Sequence, residues 1–85
     1  MNSELKRKAY KVTVTGKFDL AGYRRMSTLL EEFGSVQSTF FDAASGNMAA
    51  AATFMVSTVH DADDVRALLT QSPGVHLVNV EANDA

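Results

Sequence analysis

The chain has 85 residues, 46% hydrophobic and 21% charged, enough apolar material for one small core and too short for a second domain. Its net charge of -2 gives no general attraction to nucleic acid, and the absence of cysteine removes disulfides, thiolate metal sites and cysteine nucleophiles together. No apolar run follows the basic N-terminal residues, so neither a signal peptide nor a membrane anchor is expected, and the lack of cysteine favours a cytoplasmic location.

Lys6, Arg7 and Lys8 gather with Lys11 near one end, with Glu81 and Asp84 as the acidic counterpart at the other. Residues 1–7 read as a flexible basic tail, residues 8–81 as one domain and residues 82–85 as a loose C-terminus. From Lys8 to Thr15, Tyr10, Val12 and Val14 alternate with Lys11, Thr13 and Thr15, the period of a strand with one buried face. Asp19 then stands where its carboxylate would accept from the free N–H groups of a helix, with Phe18 folding over them. Tyr23, Met26, Leu30 and Phe33 share one helical stripe with Leu29 beside them, while Arg24, Arg25, Glu31 and Glu32 face elsewhere. Gly34 is expected to end the helix in the left-handed conformation.

Val36 to Phe41 is a strand by its β-branched and aromatic content, and Ser45-Gly46-Asn47 turns it into a third strand. That third run is alanine-rich at its start, which favours helix, but Thr53, Phe54, Val56, Thr58 and Val59 resolve it as strand. Asp61 is expected to cap a second helix through Leu69, with Asp63 and Asp64 at the positive end of its dipole and Val65, Leu68 and Leu69 as its apolar stripe. Ser72-Pro73-Gly74 stops it, and Val75 to Val80 is the fourth strand. The order predicts an α+β fold, a ferredoxin-like βαββαβ plait with a four-stranded antiparallel sheet and two helices on one face.

Alternation sends Lys11, Thr13 and Thr15, together with Ala49, Ala51, Thr53 and Met55, to the face the helices leave open. A solvated sheet face normally carries more charge, so this small, smooth surface points to burial against a second copy, another sheet or a flat ligand. Phe40 and Phe41 are adjacent and so face opposite ways, which makes the pair a second mark of an interface. The second strand, with Gln37, Ser38 and Thr39 and neither proline nor lysine, is the edge better suited to pair with a neighbour.

Asp19, Leu20, Ala21 and Gly22 form a D-x-x-G at the first loop, Gly34, Ser35 and Val36 a glycine turn before the second strand, and Gly74, Val75 and Val78 a closing glycine-valine-x-x-valine. With these three short patterns the chain resembles, across roughly residues 10–81, the ACT family of small regulatory domains. The residue before the motif glycine, often proline in the family, is Ala21. The resemblance implies a homo-oligomer, a dimer or higher, that binds an amino-acid-like effector at a subunit interface. Asp19 and Gly22 would then border the site, and Leu20, Ala21, Ser35 and Val36 would complete it.

His60 and His76 are the only histidines, and with no cysteine they make no metal site; neither falls in a serine-histidine-acid pattern. No phosphate-binding glycine loop is present, so no cofactor is expected. Nucleic acid is disfavoured because the third strand offers Ala49, Ala51, Thr53 and Met55 where RNA-binding plaits carry stacking aromatics. The sequence therefore reads as a non-enzymatic regulatory module for a small metabolite or a protein partner. The alternatives are a small enzyme with a cleft between subunits, using His60 or His76 as general base, and a purely structural assembly protein.

Overall fold

The computed structural model describes residues 7–43 and 49–83. The elements follow as β1 (Lys8–Gly16), α1 (Leu20–Glu31), β2 (Gly34–Asp42), β3 (Ala50–Thr58), α2 (Ala62–Thr70) and β4 (Val75–Ala82). The fold is α+β: the strands form an antiparallel sheet in the order β2-β3-β1-β4, and the two helices pack together over one side of it. The expected turn at Ser45-Gly46-Asn47, like Lys6, Met48 and Asp84, lies outside the described residues.

Period-two patterning places the core. Tyr10, Val12 and Val14 of β1, Ala52, Phe54 and Val56 of β3 and Val78 of β4 are buried on the helix side, and Met26, Leu30, Val65 and Leu69 of the helices close over them. Phe54 is fully buried at the centre, its ring 5.4 Å from that of Tyr23. Burying a side chain of this size contributes about 2–3 kcal/mol, so this layer supplies most of what holds so small a domain together. β3 begins at Ala50, which leaves Ala49 exposed just ahead of the strand, and β4 continues past Val80 to Ala82. The expected loose C-terminus is thus partly strand, and the Asn83 N–H still donates to the Ala9 carbonyl at 2.8 Å.

Three local expectations are corrected. Gly34 does not end α1 in a left-handed turn: Glu32, in right-handed helical conformation, is the cap, and Gly34 already belongs to β2. The reason for glycine there is close approach, since a Cβ would lie 2.1 Å from the Ser57 carbonyl oxygen. Among the described residues the positive φ belongs to Gly74, at 84°, where the chain turns from α2 into β4 and its carbonyl accepts from the Lys17 N–H at 2.7 Å. Asp61 precedes α2 as expected, but its side chain makes no capping hydrogen bond; it is drawn instead to the Lys8 ammonium of β1. Finally, β2 is not a regular strand. Its ladder steps from Ser38↔Phe54 to Phe40↔Thr53, skipping residue 39, a bulge that reverses which later side chains face the helices.

Candidate functional site

The first loop is built by the start of α1. Asp19 has extended backbone, and its Oδ1 accepts from the Gly22 N–H at 3.0 Å while its carbonyl accepts from Tyr23 at 2.9 Å. The Asp19 carboxylate therefore satisfies a helix N–H of its own chain. A Cβ at Gly22 would stand 3.0 Å from the Phe18 Cβ, so the glycine makes room for the buried Phe18 beneath it. Leu20, 47% exposed, and Ala21 form the outer surface of this turn.

Ser35 and Val36 are not beside that loop. Asp19–Gly22 follow the Gly16 end of β1, which pairs with Ala50, whereas Ser35 and Val36 pair with Ser57 and Val56, opposite Ala9 and Tyr10 at the start of β1. The twelve residues of α1 separate the two groups by about 18 Å. Within one chain the six candidate effector residues fall into two separate groups at opposite ends of the sheet.

The register lays out the open face row by row. One row runs Ser35, Ser57, Ala9; the next Gln37, Met55, Lys11, Glu81; the next Phe40, Thr53, Thr13, Asn79; and the last Asp42, Ala51, Thr15, Leu77. Of these, Lys11, Glu81 and Asp42 carry charge, and Lys11 lies directly opposite Glu81. The Asn79 amide donates to the Glu81 carboxylate at 3.1 Å. Two large apolar side chains stand on this face at its two edge strands: Phe40, 52% exposed, and Leu77, 62% exposed. Phe41 does not belong to it. Its ring stacks on Tyr23 at 4.6 Å and lies 6.2 Å from Phe18, on the helix side, so of the two adjacent phenylalanines Phe40 alone is presented outward.

Where small side chains meet, at Ala9, Ser35 and Ser57, the open face sinks into a depression of about 250 Å³ bounded by Gln37, Met55 and Asn83. Arg7 reaches across its end: Nε donates to the Ser57 hydroxyl at 3.1 Å and Nη2 to the Ser57 carbonyl at 2.7 Å. The residue expected in a flexible tail is thus fixed on β3. Sequence reading missed Arg7, Ser57, Asp42 and Leu77 as parts of this surface. The available signal was parity, since Arg7 shares the phase of Ala9 and Lys11, and Leu77 that of Asn79 and Glu81.

The two histidines lie apart. His60 follows the Thr58 end of β3, its ring stacked on Phe33 at 4.0 Å and its Nδ1 3.9 Å from Asp64. Its main chain closes a small polar network: the buried Thr58 hydroxyl donates to the Phe33 carbonyl at 2.7 Å and accepts from the His60 N–H at 3.1 Å, while the Tyr10 hydroxyl donates to the His60 carbonyl at 3.2 Å. His76 is exposed at the other end of the sheet, beside the Gly16 end of β1. Among the described residues no three acidic, histidine or cysteine side chains cluster as metal ligands, and no helix is long and apolar enough to cross a membrane. No family model matches the chain, and no curated relative matches it.

Proposed function

We propose that the chain is a non-enzymatic, cytoplasmic regulatory module of the ACT type, built on a ferredoxin-like plait, acting as a homo-oligomer that binds an amino-acid-like effector or docks a protein partner. The observation that carries this reading is the open sheet face. It spans all four strands, sets Phe40 and Leu77 outward and carries few charges, the composition of a surface that is covered in use. The separation of the two groups of candidate effector residues adds to it. An effector that touches Leu20 and Ala21 as well as Ser35 and Val36 must bridge two copies, so binding and assembly would be coupled by linkage.

Thermal melting against free amino acids, nucleotides and divalent metals, combined with sedimentation of the protein alone, tests the reading. A ligand at a hundredfold excess over its dissociation constant adds about 2.7 kcal/mol, and each kcal/mol raises the midpoint of a domain this size by roughly 4–8 °C. The expected result is an oligomer whose midpoint rises with one amino acid. Leu20→Glu should erase that shift, because it sets a carboxylate where the helix start would receive the effector's own. An oligomer with no shift across the panel would leave partner docking as the function, and a monomer with no shift would overturn the proposal.

A further inference from the structure

We infer that two copies of this chain stack open face to open face about a two-fold axis that runs across the strands through the row of Gln37 and Met55. The inference rests on the homo-oligomeric reading above and names its surface. Along β2, Phe40 and Ser35 are the open-face neighbours of Gln37 on its two sides. One step further out lies Asp42 on one side and, on the other, the Gly34 end of the strand, where Arg7 Nη2 sits 3.1 Å from the position of a Gly34 Cβ. A half-turn about the Gln37 row exchanges these positions. It brings Phe40 onto the partner's Ser35, at the depression of about 250 Å³ that Ala9, Ser35 and Ser57 leave beside Met55, and brings Asp42 toward the partner's Arg7.

Shape and charge agree. The outward Phe40 ring is the projection on β2, and the depression is the hollow on the same face. A phenyl ring seated there would meet the polarisable thioether of Met55. Arg7 and Asp42 are both exposed, and neither takes part in an ion pair among the described residues. Lys11 and Glu81, opposite each other in register, lie on the axis row, so the half-turn sets each over its own copy, and the four charges of the two copies sum to zero. The patch measures roughly 19 Å across the strands and 27 Å along them, so the pair would cover on the order of 1,000 Å² in total, the lower limit for a specific interface. This fits a dimer with a dissociation constant in about the micromolar range. The same stacking is antiparallel, so the first-loop end of each copy overhangs the Ser35 end of its partner.

The test is sedimentation equilibrium of the full chain, from about 1 μM to 0.5 mM, for the wild type, Phe40→Ala, Arg7→Asp and Asp42→Arg, and for an equimolar mixture of the last two. All three positions are exposed, and far-UV circular dichroism checks that each variant stays folded. The wild type should reach twice the 9.2 kDa chain mass, and each variant should dimerise at least tenfold more weakly. The mixture should recover wild-type affinity, because a mixed pair restores an opposite-charge contact at both ends of the interface. Arg7 and Asp42 lie at opposite ends of the sheet in one chain, so recovery on mixing arises only between copies. A wild type that stays monomeric overturns both this inference and the homo-oligomeric reading. A dimer that all three variants preserve overturns this face and leaves the homo-oligomer standing elsewhere. Weakened single variants that fail to recover on mixing overturn the pairing of Arg7 with Asp42.

Discussion

The Lys8 ammonium donates to the Asp61 carboxylate, tying the first residue of β1 to the residue that precedes α2. The hydrogen bond to Asp61, with the attraction of its charge, raises the Lys8 pKa; the same bond to Lys8 lowers that of Asp61. A lowered carboxyl pKa stabilises the fold above the unfolded carboxyl value and loses that effect as pH falls through the folded one. A raised ammonium pKa stabilises below the unfolded lysine value and loses its effect as pH rises through the folded one.

The pair should therefore contribute at neutral pH and vanish toward both extremes. Lys8→Met should lower the melting temperature slightly at pH 7, and the gap to wild type should close both in acid, below the lowered Asp61 pKa, and in alkali, above the raised Lys8 pKa. Both groups are exposed, so added salt should also narrow it. A gap that is constant across the pH range would show that the ion pair contributes nothing.

Among the described residues Thr58 is the buried polar residue of the core, and its hydroxyl serves two main-chain groups, the Phe33 carbonyl and the His60 N–H. Thr58→Val keeps the shape and strands both. The expected loss is about 1–3 kcal/mol, read as a melting-temperature drop of roughly 4–8 °C per kcal/mol. Thr58→Ser keeps the hydroxyl and removes one methyl group, and should cost about 0.8 kcal/mol. Equal losses for the two variants would show that packing, not the hydroxyl, matters at this position.

Phe40 and Phe41 should separate cleanly in dilute solution, where self-association is absent. Phe41→Ala removes a ring stacked on Tyr23 and should destabilise by about 2–3 kcal/mol in urea unfolding. Phe40→Ala removes an exposed ring and should stay within about 0.5 kcal/mol of wild type. Similar losses for both would mean that β2 does not face as described.

Much of the architecture was legible because it rests on local chemistry. The alternation of Tyr10, Val12 and Val14 and the position of Asp19 before an apolar helical stripe each involve residues a few places apart. What escaped depends on partners distant in sequence. Gly34 looks like a helix end until the Ser57 carbonyl is brought against it, and Asp61 looks like a cap until Lys8 arrives from fifty-three residues away. The candidate effector residues read as one set along the sequence, but α1 holds their two halves apart. The open face was anticipated from alternation in β1 and β3, while the placement of Phe41 was not, because nothing in Val36 to Phe41 announces a bulge.

That bulge sets which kinds of mutation can reshape the surface. Position 39 is a spare place in the strand: deleting Thr39 would leave Phe40 opposite Thr53 and Phe41 opposite Ala52, and would straighten β2 without changing what either side presents. No amino-acid replacement along β2 exchanges the two phenylalanines, since side-chain identity does not alter the count of residues between pairing points. The inner and outer sides of this edge are thus held by the spacing from the bulge: a deletion there is absorbed, whereas one residue inserted between Thr39 and Phe40 and kept in the ladder would exchange the sides of the two phenylalanines.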